Sequence, residues 1–228
     1  MENMFYIGIT LIAIVLLKWI FKIDFKKAKE LQEDKELEKL TDKFPENIKI
    51  AKEMLDMLDN KKVKVEEVKD TKTSLYIAIT DKILIADMKN NYGRIQTIAH
   101  ECLHSIQDRG LLLFNFIFSN INMLYWLVIT ILTITKVITN VKMQLFVLLL
   151  MAMIKVIVRG YLEIDAMTKS RYLAEKYINT KAILEKAEEE KLLNKYNEIN
   201  KYGIPYTIVY IAISSLLGIL GYAIVTII

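Results

Sequence analysis

A chain with one cysteine cannot close an intrachain disulfide, so Cys102 excludes a disulfide-stapled framework and fits a reducing compartment. Proline and glycine are sparse too, at two and seven in 228 residues, and neither a low-complexity linker nor an internal repeat divides the chain. Charge of one sign is also missing. The net +4 comes from 31 Lys and Arg interleaved with 27 Asp and Glu. That mixture describes a solvated surface, and no nucleic-acid partner is expected. The leader Met1-Glu2-Asn3 carries no basic residue and no small-x-small site follows Ile20. The first apolar block is therefore expected to be a retained anchor rather than a cleaved signal.

What is abundant is apolar. Hydrophobic residues make up 54% of the chain, and the mean hydropathy of +0.28 is high for a soluble domain. They are gathered in blocks: Met4 to Phe21, Leu111 to Thr135, Val141 to Val158 and Pro205 to Ile228. None of the four contains an Asp or Glu, and Lys18, Lys142 and Lys155 lie toward block ends. Each block is close to the ~20 apolar residues that cross a bilayer. The expectation is a multi-pass cell-membrane protein, mostly α, with about four transmembrane helices. Its divisions are a first span at 4–22, a cytoplasmic part at 23–110, a transmembrane hairpin at 111–158, a cytoplasmic helix at 159–203 and a fourth span at 205–228. Basic flanks set the orientation. Lys22, Lys26, Lys27 and Lys29 follow the first block, Arg109 precedes the second, Arg159 closes the third, and Lys195 and Lys201 precede the fourth. Both cytoplasmic parts then share one side, although Lys136 and Lys142 in the turn at 139–140 run against the trend.

Within 23–110 the pattern predicts a helix over 25–40 and another opened by Pro45, with an apolar stripe of Ile48, Ala51, Met54, Leu55 and Leu58. Short β-type runs follow at 62–68, 74–79 and 83–86, with a hairpin turn at Asp81-Lys82. A helix is then expected from about 91 to 108. From Gly160 to about Asn200 the pattern is helical again, ended by Gly203 and Pro205.

The only two histidines of the chain stand four apart in His100-Glu101-Cys102-Leu103-His104. Four residues on a helix make one turn, so both imidazoles lie on one face and can share a Zn²⁺. Glu101 stands beside them to take a proton from an attacking water. Random placement gives this pattern on the order of once per thousand such chains. A catalytic zinc needs a third protein ligand and an open position. With no third histidine, that ligand is a carboxylate or Cys102. Cys102 falls on another helix face and reads as a packing thiol. The best carboxylates are Glu163 and Asp165, which open the later cytoplasmic helix just where the third block returns to the membrane surface. They point to different faces, so one can bind metal while the other orients a histidine. Glu163 as ligand and Asp165 behind it is the preferred assignment, with the reverse as its alternative.

Ala99-His100-Glu101-Cys102-Leu103-His104-Ser105-Ile106-Gln107, followed by Glu163-Ile164-Asp165-Ala166, resembles the YugP-like bacterial membrane zinc metallopeptidases. Those proteins pair an A-H-E-x-G-H-A-I-Q signature with a downstream E-x-D-A segment and several transmembrane helices. Leu103 stands at the family's glycine, and Thr168 and Lys169 at its arginines. More distantly the layout is similar to HtpX-type membrane peptidases. The resemblance covers roughly 74–173. It implies a small zincin-like α+β metallopeptidase domain, one zinc held by His100, His104 and Glu163, and Glu101 as catalytic acid/base.

A membrane-anchored zinc endopeptidase acting on a peptide or membrane protein is therefore expected. In such a domain an edge strand beside the site accepts extended substrate, and Ile83 to Ala86 is the candidate. Two alternatives stand beside this. One is a site-2-type intramembrane protease, which takes its third ligand from an Asp inside a later span. The other is a membrane protein with a non-catalytic metal site, which would ordinarily show four protein ligands. No residue speaks to oligomeric state or cleavage specificity.

Overall fold

The computed structural model describes residues 2–31, 33–69, 71, 73–88 and 91–227. In chain order the elements are α1 (Glu2–Ile20), α2 (Phe25–Glu30), α3 (Lys35–Thr41), α4 (Asn47–Met57), β1 (Lys64–Val68), β2 (Leu75–Ile77), β3 (Lys82–Ala86), α5 (Arg94–His104), α6 (Arg109–Ile134), α7 (Val141–Lys181) and α8 (Lys186–Val225). They divide into two compact units, Asp24–Leu113 with Leu162–Ile204, and Met1–Ile23 with Phe114–Tyr161 and Pro205–Ile228.

The first of these is an α+β unit built on a three-stranded sheet of order β1-β3-β2. β1 runs parallel to β3, with Val65 opposite Ile83, and β2 runs antiparallel to it, with Tyr76 opposite Ile83. Ile83 to Ala86, expected at an edge, is therefore the central strand. Its Ile83, Ile85 and Ala86 are fully buried, which is why it is the most apolar of the three. The exposed edge beside the motif helix is β2. Asp81 takes the left-handed backbone conformation (φ 50°) that turns β2 back into β3, and it accepts a bond from Tyr76 Oη at 2.9 Å.

α4, through Ile50, Ala51, Met54 and Leu55, and α5, through Ile95, Ile98, Ala99 and Cys102, pack into one core with the sheet. Ile50 takes the place expected for Ile48, since the helix opens at Asn47 and its buried stripe shifts accordingly. The guanidinium of Arg94, 2% exposed, donates to the carbonyls of Thr41, Phe44 and Pro45 and to Asn47 Oδ1, so one side chain shapes the whole entry to α4. The helix expected over 25–40 is two pieces. Asp34 ends the gap by capping α3 through Glu36 N and Leu37 N, and residue 32 lies outside the described residues.

The later part differs from expectation in two places. The chain does not run as one helix from 160 to 200. It breaks after Lys181, where Ala182 adopts φ 49°, and α8 starts at Lys186. Nor do Gly203 and Pro205 stop the helix: α8 continues through both to Val225. A proline forfeits one backbone hydrogen bond, which a long packed helix absorbs. Leu173, Ala174, Tyr177 and Ile178 of α7 and Leu192 and Tyr196 of α8 complete the core of this unit.

The second unit is all helix. Its small core is Ile129, Leu145, Leu148, Ala152, Ile219, Tyr222 and Ala223, with Tyr6 and Ile7 of α1 packed against it. Trp126 Nε1 donates to Gly218 O at 2.7 Å, and Tyr222 and Thr133 share a hydroxyl contact at 3.0 Å, tying α6 to α8. Outward it presents Phe116, Ile117, Leu124, Phe146 and Ile157 among many exposed apolar side chains, a surface far larger than the apolar patches water tolerates. Among the described residues three helices, α6, α7 and α8, are long and apolar enough to cross a membrane; Met4–Ile20 is a shorter apolar helix.

Candidate metal centre

α5 turns its apolar face to the sheet and α4, which leaves His100 and His104 on the opposite side. Each imidazole is only partly exposed, at 18% and 12% of its side chain. Their Nε2 atoms lie 3.0 Å apart with the rings nearly perpendicular. Glu163 Oε2, from α7, completes the group at 3.4 Å from His100 Nε2 and 3.8 Å from His104 Nε2. Zinc at about 2.0–2.1 Å from tetrahedral ligands requires ligand-to-ligand edges of about 3.3 Å. The three distances bracket that value. A His-His-Glu cluster that can bind a metal ion is thus in place, and among the described residues it holds three ligands.

The electrostatics favour positive charge there. Burial raises the pKa of Glu163, but the two imidazoles beside its carboxylate outweigh that and hold the carboxyl well below its usual range. Burial lowers His104, yet Glu163, Glu101 and Gln107 draw it above the ordinary histidine value.

Gln107 is the residue that reading the motif left without a role. α5 ends at His104 rather than at 108. Tight turns follow, from Ser105 N to Cys102 O and Gln107 N to His104 O, and Asp108 Oδ1 caps α6 at Leu111 N. This curl returns Gln107 to the ring of His104. Its amide nitrogen donates to Leu162 O at 2.8 Å and Asp165 Oδ2 at 3.0 Å. With two acceptors on the nitrogen side, the amide oxygen faces His104 Nδ1 at 2.7 Å, so Nδ1 carries the proton. His104 Nε2 is then the lone-pair nitrogen, as metal ligation demands. Asp165 stands one link behind: its carboxylate meets Gln107 and, at 2.6 Å, Lys169, instead of a histidine. No local spacing marked Gln107, because α5 stops at His104 and the tight turns beyond it, not a helix face, return Gln107 to the ring.

Glu101 is 6% exposed, and its Oε2 accepts the backbone N–H of Tyr76 at 2.7 Å. Burial raises its pKa above the ordinary carboxylate value, with the imidazoles and the Tyr76 N–H opposing. Tyr76 had no local sequence signal, since the strand meets the helix only through the tertiary fold. Cys102 is fully buried with its thiol toward Ala51 O, and burial pushes its pKa well up. No family model, curated protein or solved structure matches this chain.

Proposed function

We propose that this protein is a membrane-anchored zinc endopeptidase, of the kind its motif resembles among the YugP-like metallopeptidases, that cleaves a peptide or membrane-protein substrate. The observation that carries the reading is the cluster of His100, His104 and Glu163 with Glu101 one residue away on the same helix. Two histidines and a glutamate are a common catalytic zinc set, and three protein ligands leave a vertex for substrate and water. When bound, zinc supplies Lewis acidity to the water and the scissile carbonyl. The chain's own groups do the rest. Tyr76 N–H anchors Glu101 at Oε2, which leaves Oε1 to receive the proton of the attacking water and return it to the departing amine. Burial makes Glu101 a stronger base than an exposed carboxylate. Gln107 holds His104 in the ligating tautomer, and Glu163 balances the charge of the ion.

The membrane reading extends to four spans, with Met4–Ile20 as the first. Its 17 residues reach about 26 Å, short of the ~30 Å hydrocarbon thickness by an amount that thinning or snorkelling accommodates. Basic flanks put 22–110 and 159–203 in the cytoplasm, and the metal site with them. A site-2-type protease would draw a ligand from inside a span, and 111–135, 141–158 and 205–228 hold no carboxylate.

Glu101→Gln tests the assignment. It should keep one zinc per chain and lose casein or peptide hydrolysis by ~10³-fold or more, given the worth of a general base and its role in binding water. A purified variant with wild-type turnover would remove Glu101 from the chemistry, and full zinc without hydrolysis in the wild type would favour a non-catalytic metal site.

A further inference from the structure

A second polar site lies inside the helical unit, unconnected to the zinc chemistry. A cavity of about 170 Å³ opens between α6, α7 and α8, bordered by Ser119, Asn122, Met123, Lys155, Ser214 and Ser215 among others. Five polar side chains in a region of apolar helix need a reason, because ionisable groups there are costly and usually mark a ligand. Ser214 and Ser215 spend their protons on Ile211 O of their own helix. Among the described residues Ser119, Asn122 and Lys155 make no side-chain hydrogen bond or ion pair, so an ammonium, an amide and a hydroxyl face the cavity with donors to offer. No counter-charge comes from the surrounding segments, since 111–135, 141–158 and 205–228 contain no Asp or Glu. Side chains on a helix lean toward its N-terminus, which directs Lys155 back along its span rather than out past Val158.

We propose that this cavity binds the phosphodiester of an anionic phospholipid, with Lys155 as its counter-charge and Asn122 and Ser119 as further donors. A phosphate suits three donors that line one cavity, and the volume, about five or six water molecules' worth, suits a headgroup and little more. A lipid rather than a soluble phosphate is indicated by the rim: Met123 borders the cavity and is 68% exposed on the apolar flank, where acyl chains would continue from the headgroup. This inference rests on the membrane reading of α6 to α8 and is independent of zinc or peptidase activity.

The full chain in nanodiscs of phosphatidylcholine mixed equally with phosphatidylglycerol, ejected into a native mass spectrometer, reports which lipid stays bound. Wild type should retain phosphatidylglycerol over phosphatidylcholine by about tenfold, the size expected of a charge-assisted contact. Lys155→Arg should keep that preference, while Lys155→Met and, as a variant that leaves the charge in place, Asn122→Leu should reduce it. Absence of preference in the wild type, or full preference in Lys155→Met, would overturn the site. Displacement of the lipid by millimolar inorganic phosphate would overturn the lipid assignment in favour of a soluble anion. Flotation with vesicles of the same lipid mixture separates the two readings: protein that floats but shows no headgroup preference in the nanodiscs refutes this site alone, whereas protein that stays in solution refutes the membrane reading and the site together.

Discussion

At the scale of single residues, the site depends on who orients whom. Gln107 is the pivot, because its one amide fixes the proton of His104 while gripping both Leu162 O and Asp165 from the stretch that carries Glu163. Removing a group that orients a ligand typically costs 10- to 100-fold in metal affinity. Gln107→Leu should therefore weaken zinc by about that factor, measured by chelator competition on detergent-purified protein. Glu163→Ala should go further and abolish stoichiometric zinc, since two histidines alone leave the ion underligated. Asp165→Ala should fall by less than about tenfold, because Gln107 keeps its bond to Leu162 O and with it its aim at His104. The reverse order, Asp165→Ala losing zinc and Glu163→Ala keeping it, would hand the ligand role to Asp165.

At the scale of elements, α4 is tied to α7 by Glu53, whose carboxylate accepts from Tyr177 Oη at 2.6 Å and Lys181 Nζ at 2.7 Å. Burial raises the pKa of Glu53, but those two donors outweigh it, and the net shift is below 4.5. A carboxylate depressed in the folded state contributes stability that is fully present above its unfolded value and lost as pH falls through the folded one. Wild type should thus be more stable than Glu53→Gln by about 1 kcal/mol near neutral pH, after discounting for solvent screening. The gap should close as pH drops below about 4.5 and stay constant above it; a gap that persisted at pH 3 would show that packing, not charge, joins the helices. Element types were legible where periodicity is strong. The buried stripe of α4, the short β-type runs and the helix bearing the histidines all follow from spacing. Sheet order was not, because three short strands allow several pairings and only the packing of α4 and α5 selects β3 as the centre. Helix ends were the other loss. Ala182 turns the chain in a stretch whose composition is helical throughout, and Pro205 does not turn it where composition says it should. The cluster that could hold a metal ion was legible for the opposite reason: the two histidines are local in sequence, and the search for a third partner narrows to the few carboxylates near the motif. Tyr76 and the role of Gln107 depended on a tertiary approach and on a helix that stops early.

At the scale of the whole molecule, the functional reading requires that the residues around the metal site share one aqueous side, since an extended substrate must reach Glu101. Flanking charge makes the same demand independently: under the proposed topology the lysines after α1 and those before Pro205 would hold 22–110 and 159–203 on one side, whereas the turn between α6 and α7 carries only Lys136 and Lys142. That conflict is testable with thiols, because the native Cys102 is fully buried and gives little background. Lys61 and Asn140 are both exposed, so a cysteine at either position is open to reagent without disturbing a core. In intact cells an impermeant maleimide should label Asn140→Cys and leave Lys61→Cys unmodified until the membrane is opened. Labelling of both from the same side would require an even number of crossings between them. In that case α6 would fail to span; basic residues of the turn that outweighed the other flanks would instead invert the chain and keep the two positions on opposite sides. Inversion is told apart by Lys61→Cys alone reacting in intact cells. It would move the site outside the cytoplasm while leaving the His100, His104 and Glu163 cluster intact, and the peptides available for hydrolysis would change accordingly.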